Sequence, residues 1–110
     1  MSFGSREEGR FAVITLDDER LDASIAESFK SYIFEIIDGG GKALIVDLTN
    51  VKFMDSSGLG ALVAGLKKLS GDGELILAGA QQAVKDLFDL TSMEKLFTIV
   101  NAVDDVVAGG

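Results

Sequence analysis

The run Ala43-Leu44-Ile45-Val46-Asp47-Leu48 constrains the fold more than any other stretch, because it is apolar at every position except Asp47. A strand with one wet face alternates apolar and polar residues. A strand apolar throughout is covered on both faces, as strands of parallel sheets usually are. The next stretch, Asn50-Val51-Lys52-Phe53-Met54-Asp55-Ser56-Ser57-Gly58-Leu59-Gly60-Ala61-Leu62, leads from this strand into a helical pattern. There Leu59, Leu62, Val63, Leu66 and Leu69 recur at steps of three and four. Ser56 stands where extended chain becomes helical, a natural N-cap whose hydroxyl meets the unpaired N–H groups of a helix start.

The remaining segments fit around that corner. Residues 3–6 read as a short edge strand, followed by a turn at Glu8-Gly9 and an alternating strand over 11–16. Asp22 is the expected N-cap of a helix over 22–38, whose stripe is Ile25, Phe29, Ile33, Ile36 and Ile37, with Tyr32 on the flank. Gly39-Gly40-Gly41 ends that helix and reverses the chain. A buried strand over 74–78 ends at Gly79, before a helix with Val84, Leu87 and Phe88 on its inner face. A strand over 96–100 and a short helix capped by Asn101 complete the chain. This order predicts one α/β domain over residues 1–110: a mixed, mostly parallel sheet of four to five strands with about four α-helices. Loops at the C-terminal ends of the strands would bring Asp22, the Asp55-Ser56 pair and Gly79 to one edge.

Composition removes several kinds of chemistry. The 110 residues contain neither cysteine nor histidine, so a disulfide framework, a thiolate site, a Ser/His triad and a zinc centre are excluded. Asp17, Asp18, Glu19 and Asp22 lack the spacing of a calcium loop, and the three glycines follow a helix instead of preceding one, the reverse of a phosphate loop. No catalytic residue, metal or cofactor is expected. The net charge of −8 argues against direct nucleic-acid or anionic-membrane binding and favours a partner with a basic face. No apolar run is long enough to span a bilayer and no basic-then-apolar leader precedes the domain, so a soluble, cytoplasmic protein is expected.

Two readings of Ser56 stand side by side: a structural N-cap, or a phosphorylation acceptor. A phosphoserine at a helix start gains from the dipole, while its charge of about −2 falls near Asp55 and Asp22. The helical wheel places Ser57, Ala61, Ala64 and Lys68 on the face opposite the apolar stripe, with Gly60 adding to the small residues there. That face is either an exposed helix side or a docking surface.

These residues resemble a known family. Ile45-Val46-Asp47-Leu48, Val51 and Phe53-Met54-Asp55-Ser56-Ser57-Gly58-Leu59-Gly60 are similar to the signature of the STAS domain, in particular of bacterial anti-sigma factor antagonists. Leu21-Asp22 with Ala26, Gly73, and the stretch from Ala83 to Thr91 add matches, and the likeness runs from about residue 11 to about residue 104. It departs from the pattern at Glu19, where members often carry glycine, and in the glycine-interrupted first strand. The resemblance implies a non-enzymatic partner switch. The unphosphorylated form would bind an anti-sigma factor with serine kinase activity and so release a sigma factor. Phosphorylation of Ser56, in a loop shaped by Asp55, Ser57, Gly58 and Asp22, would end the complex, and a PP2C-type phosphatase would restore it. Ser57, Gly60, Ala61, Ala64 and Lys68 would form the docking surface. The alternative is a STAS binding or scaffold module, never phosphorylated, in another signalling or transport assembly.

Overall fold

The computed structural model describes residues 3–69, 71 and 73–108. Strand β1 (Phe3–Glu8) turns through Gly9, at φ 61°, into β2 (Phe11–Leu16). With β4 (Ala43–Asp47), β6 (Glu74–Ala78) and β7 (Thr98–Val100) these make a five-stranded sheet in the order β1-β2-β4-β6-β7. Only the β1–β2 pair is antiparallel. The mixed, mostly parallel α/β architecture expected from the sequence is therefore the one observed. β1 extends past the expected 3–6 to Glu8. It lies at the sheet edge with Ser5, Arg6 and Glu7 exposed, so no buried face imposed an apolar pattern on it.

Three helices pack on one face of the sheet: α1 (Ala26–Asp38), α2 (Ser56–Lys68) and α3 (Gln82–Thr91). Phe29, Ile33, Leu62, Val84 and Phe88 meet Ile14, Leu16, Leu44, Val46 and Leu77 in one core. Successive residues of a strand point to opposite faces, so Val13, Ala43, Ile45, Ile76 and Ala78 form a second core, with Phe11, under the short helix α4 (Val103–Val107). Every residue of β4 from Ala43 to Val46 is buried, as its unbroken apolar run demands. Burying Leu44, Ile45 and Val46 contributes about 1.5–3 kcal/mol each.

Several boundaries differ from expectation. α1 begins at Ala26 and not at Asp22. Asp22 instead closes a turn ahead of the helix, its Oδ1 accepting from the Ser24 N–H at 3.1 Å and its carbonyl from the Ala26 N–H at 2.9 Å. The last strand starts at Thr98 because Met93–Lys95 forms a 3₁₀ turn. The N-cap of α4 is Ala102, without a side-chain cap, rather than Asn101. Two strands of two residues each, β3 (Arg20–Leu21) and β5 (Phe53–Met54), pair in parallel as a separate small sheet at the strand-to-helix corner. Among the described residues no helix is long and apolar enough to cross a membrane.

Candidate functional site

The corner is built by Asp55. Its backbone is extended, and its Oδ1 accepts from the N–H groups of Ser57 at 2.9 Å and Gly58 at 3.1 Å. Asp55, not Ser56, is thus the N-cap of α2. A carboxylate satisfies two orphan amides at once and complements the positive end of the helix dipole, which a hydroxyl does less well. Ser56 becomes the first helical residue. Its side chain is exposed, and its hydroxyl makes no hydrogen bond among the described residues.

The second oxygen of Asp55 ties the corner to the turn before α1. Asp55 Oδ2 accepts from the Ala23 N–H at 3.3 Å, and the Asp55 N–H donates to the Leu21 carbonyl at 3.3 Å. Gly58 lies directly over that carbonyl. A Cβ on Gly58 would overlap the Leu21 oxygen and come within 2.8 Å of Leu21 Cγ. Asp22 lies in the same turn, where hydrogen bonds from the Ser24 hydroxyl, at 2.6 Å, and then from Arg20 Nε, at 3.1 Å, hold its carboxyl below the usual range. Asp22, Asp55, Ser57 and Gly58 are therefore brought together around Ser56. Gly79 is not part of this group: at φ 74° it packs against Thr49, whose carbonyl accepts from Gln81 Nε2 at 2.8 Å.

The expected docking face is partly turned inward. Ser57 and Gly60 are exposed, but Ala61 is only 4% exposed and Ala64 is half-buried, because α1 packs across them. Together these four residues form one wall of a groove of about 290 Å³, with Ala23, Ala26, Glu27 and Lys30 opposite. Small residues on α2 permit that close approach. Lys68 lies outside the groove, ion-paired to Asp38 at 3.1 Å and 4.9 Å from the Phe34 ring centroid.

Two residues beside Ser56 had not been singled out as surface features. Arg20 and Phe53 face each other in register across β3 and β5, with the guanidinium 4.4 Å from the ring centroid. Phe53 is 41% exposed. The alternation of Phe53 outward and Met54 inward over just two residues was the only available signal, too short for periodicity. Next to them Lys52 Nζ pairs with Glu19 at 3.1 Å.

Residues 4–106 match the family model of the STAS domain. The chain belongs to the STAS family. This STAS domain is 31% identical over 80 residues to the anti-sigma-B factor antagonist of Staphylococcus aureus, covering 72% of this chain and 74% of that protein. The solved STAS protein of Planctomyces limnophilus superposes with a TM-score of 0.90 at 20% identity, covering 97% and 96% of the two chains. The anti-sigma factor antagonist SpoIIAA has been solved in two forms. Its unphosphorylated form gives a TM-score of 0.83, with 98% of this chain and 95% of that one covered, and the phosphorylated Bacillus form gives 0.76, with 98% of both, each at 22% identity. At such identities the structural likeness concerns the fold alone.

Proposed function

We propose that this STAS domain is an anti-sigma factor antagonist that acts as a partner switch. Its unphosphorylated form binds an anti-sigma factor that is also a serine kinase, and phosphorylation of Ser56 ends the complex. A PP2C-type phosphatase resets it, and the domain itself catalyses nothing. The observation that carries this reading is the exposed, unpartnered Ser56 hydroxyl at the first position of α2, beside a cap that has already occupied the helix amides.

That geometry favours transfer to Ser56. Its Oγ attacks the γ-phosphorus of ATP held by the kinase, the O–P bond to ADP breaks, and the hydroxyl proton passes to a base. Both Asp55 oxygens are engaged by backbone N–H groups, and the chain has no histidine, so the kinase supplies that base. The product phosphate, about −2 in charge, stands next to Asp55 and Asp22 and faces the partner. An interface fitted to a neutral hydroxyl would then have to desolvate a dianion. The groove lined by Gly60, Ala61 and Ala64 starts within a turn of Ser56 and supplies the docking surface.

The test is phosphorylation by the kinase and ATP, followed by calorimetry. Ser56→Ala should bind and take up no phosphate, and Ser56→Asp should bind at least 30-fold more weakly, the equivalent of about 2 kcal/mol. Label retained on Ser56→Ala, or unchanged affinity of Ser56→Asp, refutes the switch. Intact mass of protein from its native cells should show a fraction heavier by one phosphate. Its absence under every growth condition would favour an unmodified binding module.

A further inference from the structure

At the opposite end of the strands from Ser56 lies a cleft of about 880 Å³, between the β1–β2 turn and the triglycine loop after α1. Three cations line it, Arg6 and Arg10 from the hairpin side and Lys42 from the loop side, against one carboxylate, Glu7. Two further carboxylates, Glu8 and Glu74, pair with the arginines from outside the lining, so the charges balance and what the cleft offers is unused donor N–H groups.

The donors of the three cations are only partly engaged. Arg6 engages Glu8 through Nε at 3.0 Å, and Arg10 engages Glu74 through Nη1 at 2.6 Å. The other guanidinium N–H groups and the Lys42 ammonium have no acceptor among the described residues. The Arg10 guanidinium also lies 4.2 Å from the Phe11 ring centroid. A guanidinium fork matches a phosphate geometrically, and a nearby ammonium adds a point charge. The opposite wall is open because Gly39, Gly40 and Gly41 carry no side chains, and Ile36, Ala12 and Ala43 supply apolar surface. A bare phosphate would fill only a small part of such a space.

We propose that this cleft binds a small phosphate ester, with Arg6, Arg10 and Lys42 on the phosphoryl group and the organic part against Ile36 and Ala43. The five residues of β4 span about 16 Å and separate it from the Ser56 corner, so this site is independent of the proposed switch. The test is an amide NMR titration at low salt with phenyl phosphate and, separately, inorganic phosphate. Phenyl phosphate should give saturable shifts confined to residues 5–12 and 39–43, with a Kd at least tenfold below that for inorganic phosphate. The exposed double substitution Arg6→Gln and Lys42→Gln should leave the spectrum folded and weaken phenyl phosphate at least tenfold. Shifts that do not saturate, that lie elsewhere, that are equal for the two probes or that survive the double substitution overturn the proposal.

Discussion

Two glycines of α2 that are two residues apart should respond to alanine in opposite directions. Gly60 is exposed, and a Cβ there would meet nothing within 4 Å. Gly60→Ala therefore gains the helix propensity of alanine, about 1 kcal/mol, and for a domain of this size raises Tm by about 4 °C. Gly58→Ala gains the same propensity but forces a methyl onto the Leu21 carbonyl, a backbone atom that cannot step aside. Overpacking of this kind costs about 1–3 kcal/mol, and pushing α2 off β3 also strains the Asp55–Leu21 hydrogen bond, worth about 1 kcal/mol. The net expectation is a loss of about 2 kcal/mol and a Tm lower by about 8 °C. Urea unfolding with an unchanged m-value, paired with calorimetric melting, reads both variants. If Gly58→Ala is as stable as Gly60→Ala, the close seating of the first turn on Leu21 is wrong. Because Gly60 also lines the groove between α1 and α2, the proposed docking surface, its stabilised variant should bind the proposed anti-sigma factor partner more weakly.

Asp55→Ala removes the acceptor of three backbone N–H groups and should lower stability by about 1–2 kcal/mol, visible as a Tm drop of about 4–8 °C. For Asp22 the carboxyl is depressed in the folded state, so its contribution is fully present above the unfolded pKa near 3.9 and is lost as pH falls through the lower folded value. Melting of wild type and Asp22→Asn should accordingly differ at pH 6 and converge in strong acid; a difference that persists there would contradict the sign. Truncating the half-exposed ring in Phe53→Ala also removes its contact with Arg20 and should lower Tm by about 4 °C, about 1 kcal/mol. The same variant should weaken the proposed anti-sigma factor complex about tenfold, as an aromatic anchor next to the proposed phosphorylation site would. Equal affinity would remove Phe53 from the interface.

The readable parts of this fold are those where burial imposes a period. β4 and β6 announce themselves as nearly continuous apolar runs, and α1, α2 and α3 as stripes at steps of three and four, because each faces a core. Elements that bury little left no such mark: the polar edge strand β1, and β3 and β5, which are too short to show alternation. Ser56 was located correctly at the corner, but the cap fell to its neighbour, since serine and aspartate both suit the position and only the backbone shows which is extended. The small-residue face of α2 was legible as a pattern while its direction was not. A helical wheel says which residues share a side, and only the packing of α1 shows that Ala61 is covered there.

The two faces of the sheet are protected very unequally, and this gives the molecule a weak side. Three helices of ten to thirteen residues cover one core, whereas a five-residue helix without a side-chain cap covers the other. A helix that short has little stability of its own, so its release from the sheet is among the least costly openings available. Each such opening uncovers Val13, Ile45 and Ile76 as a flat apolar surface. Amide exchange on α4 should then outpace that of α1 to α3, and self-association on storage or heating would begin from this side. The Ser56 surface lies on the better-guarded side, so self-association need not pass through the residues proposed to take part in switching.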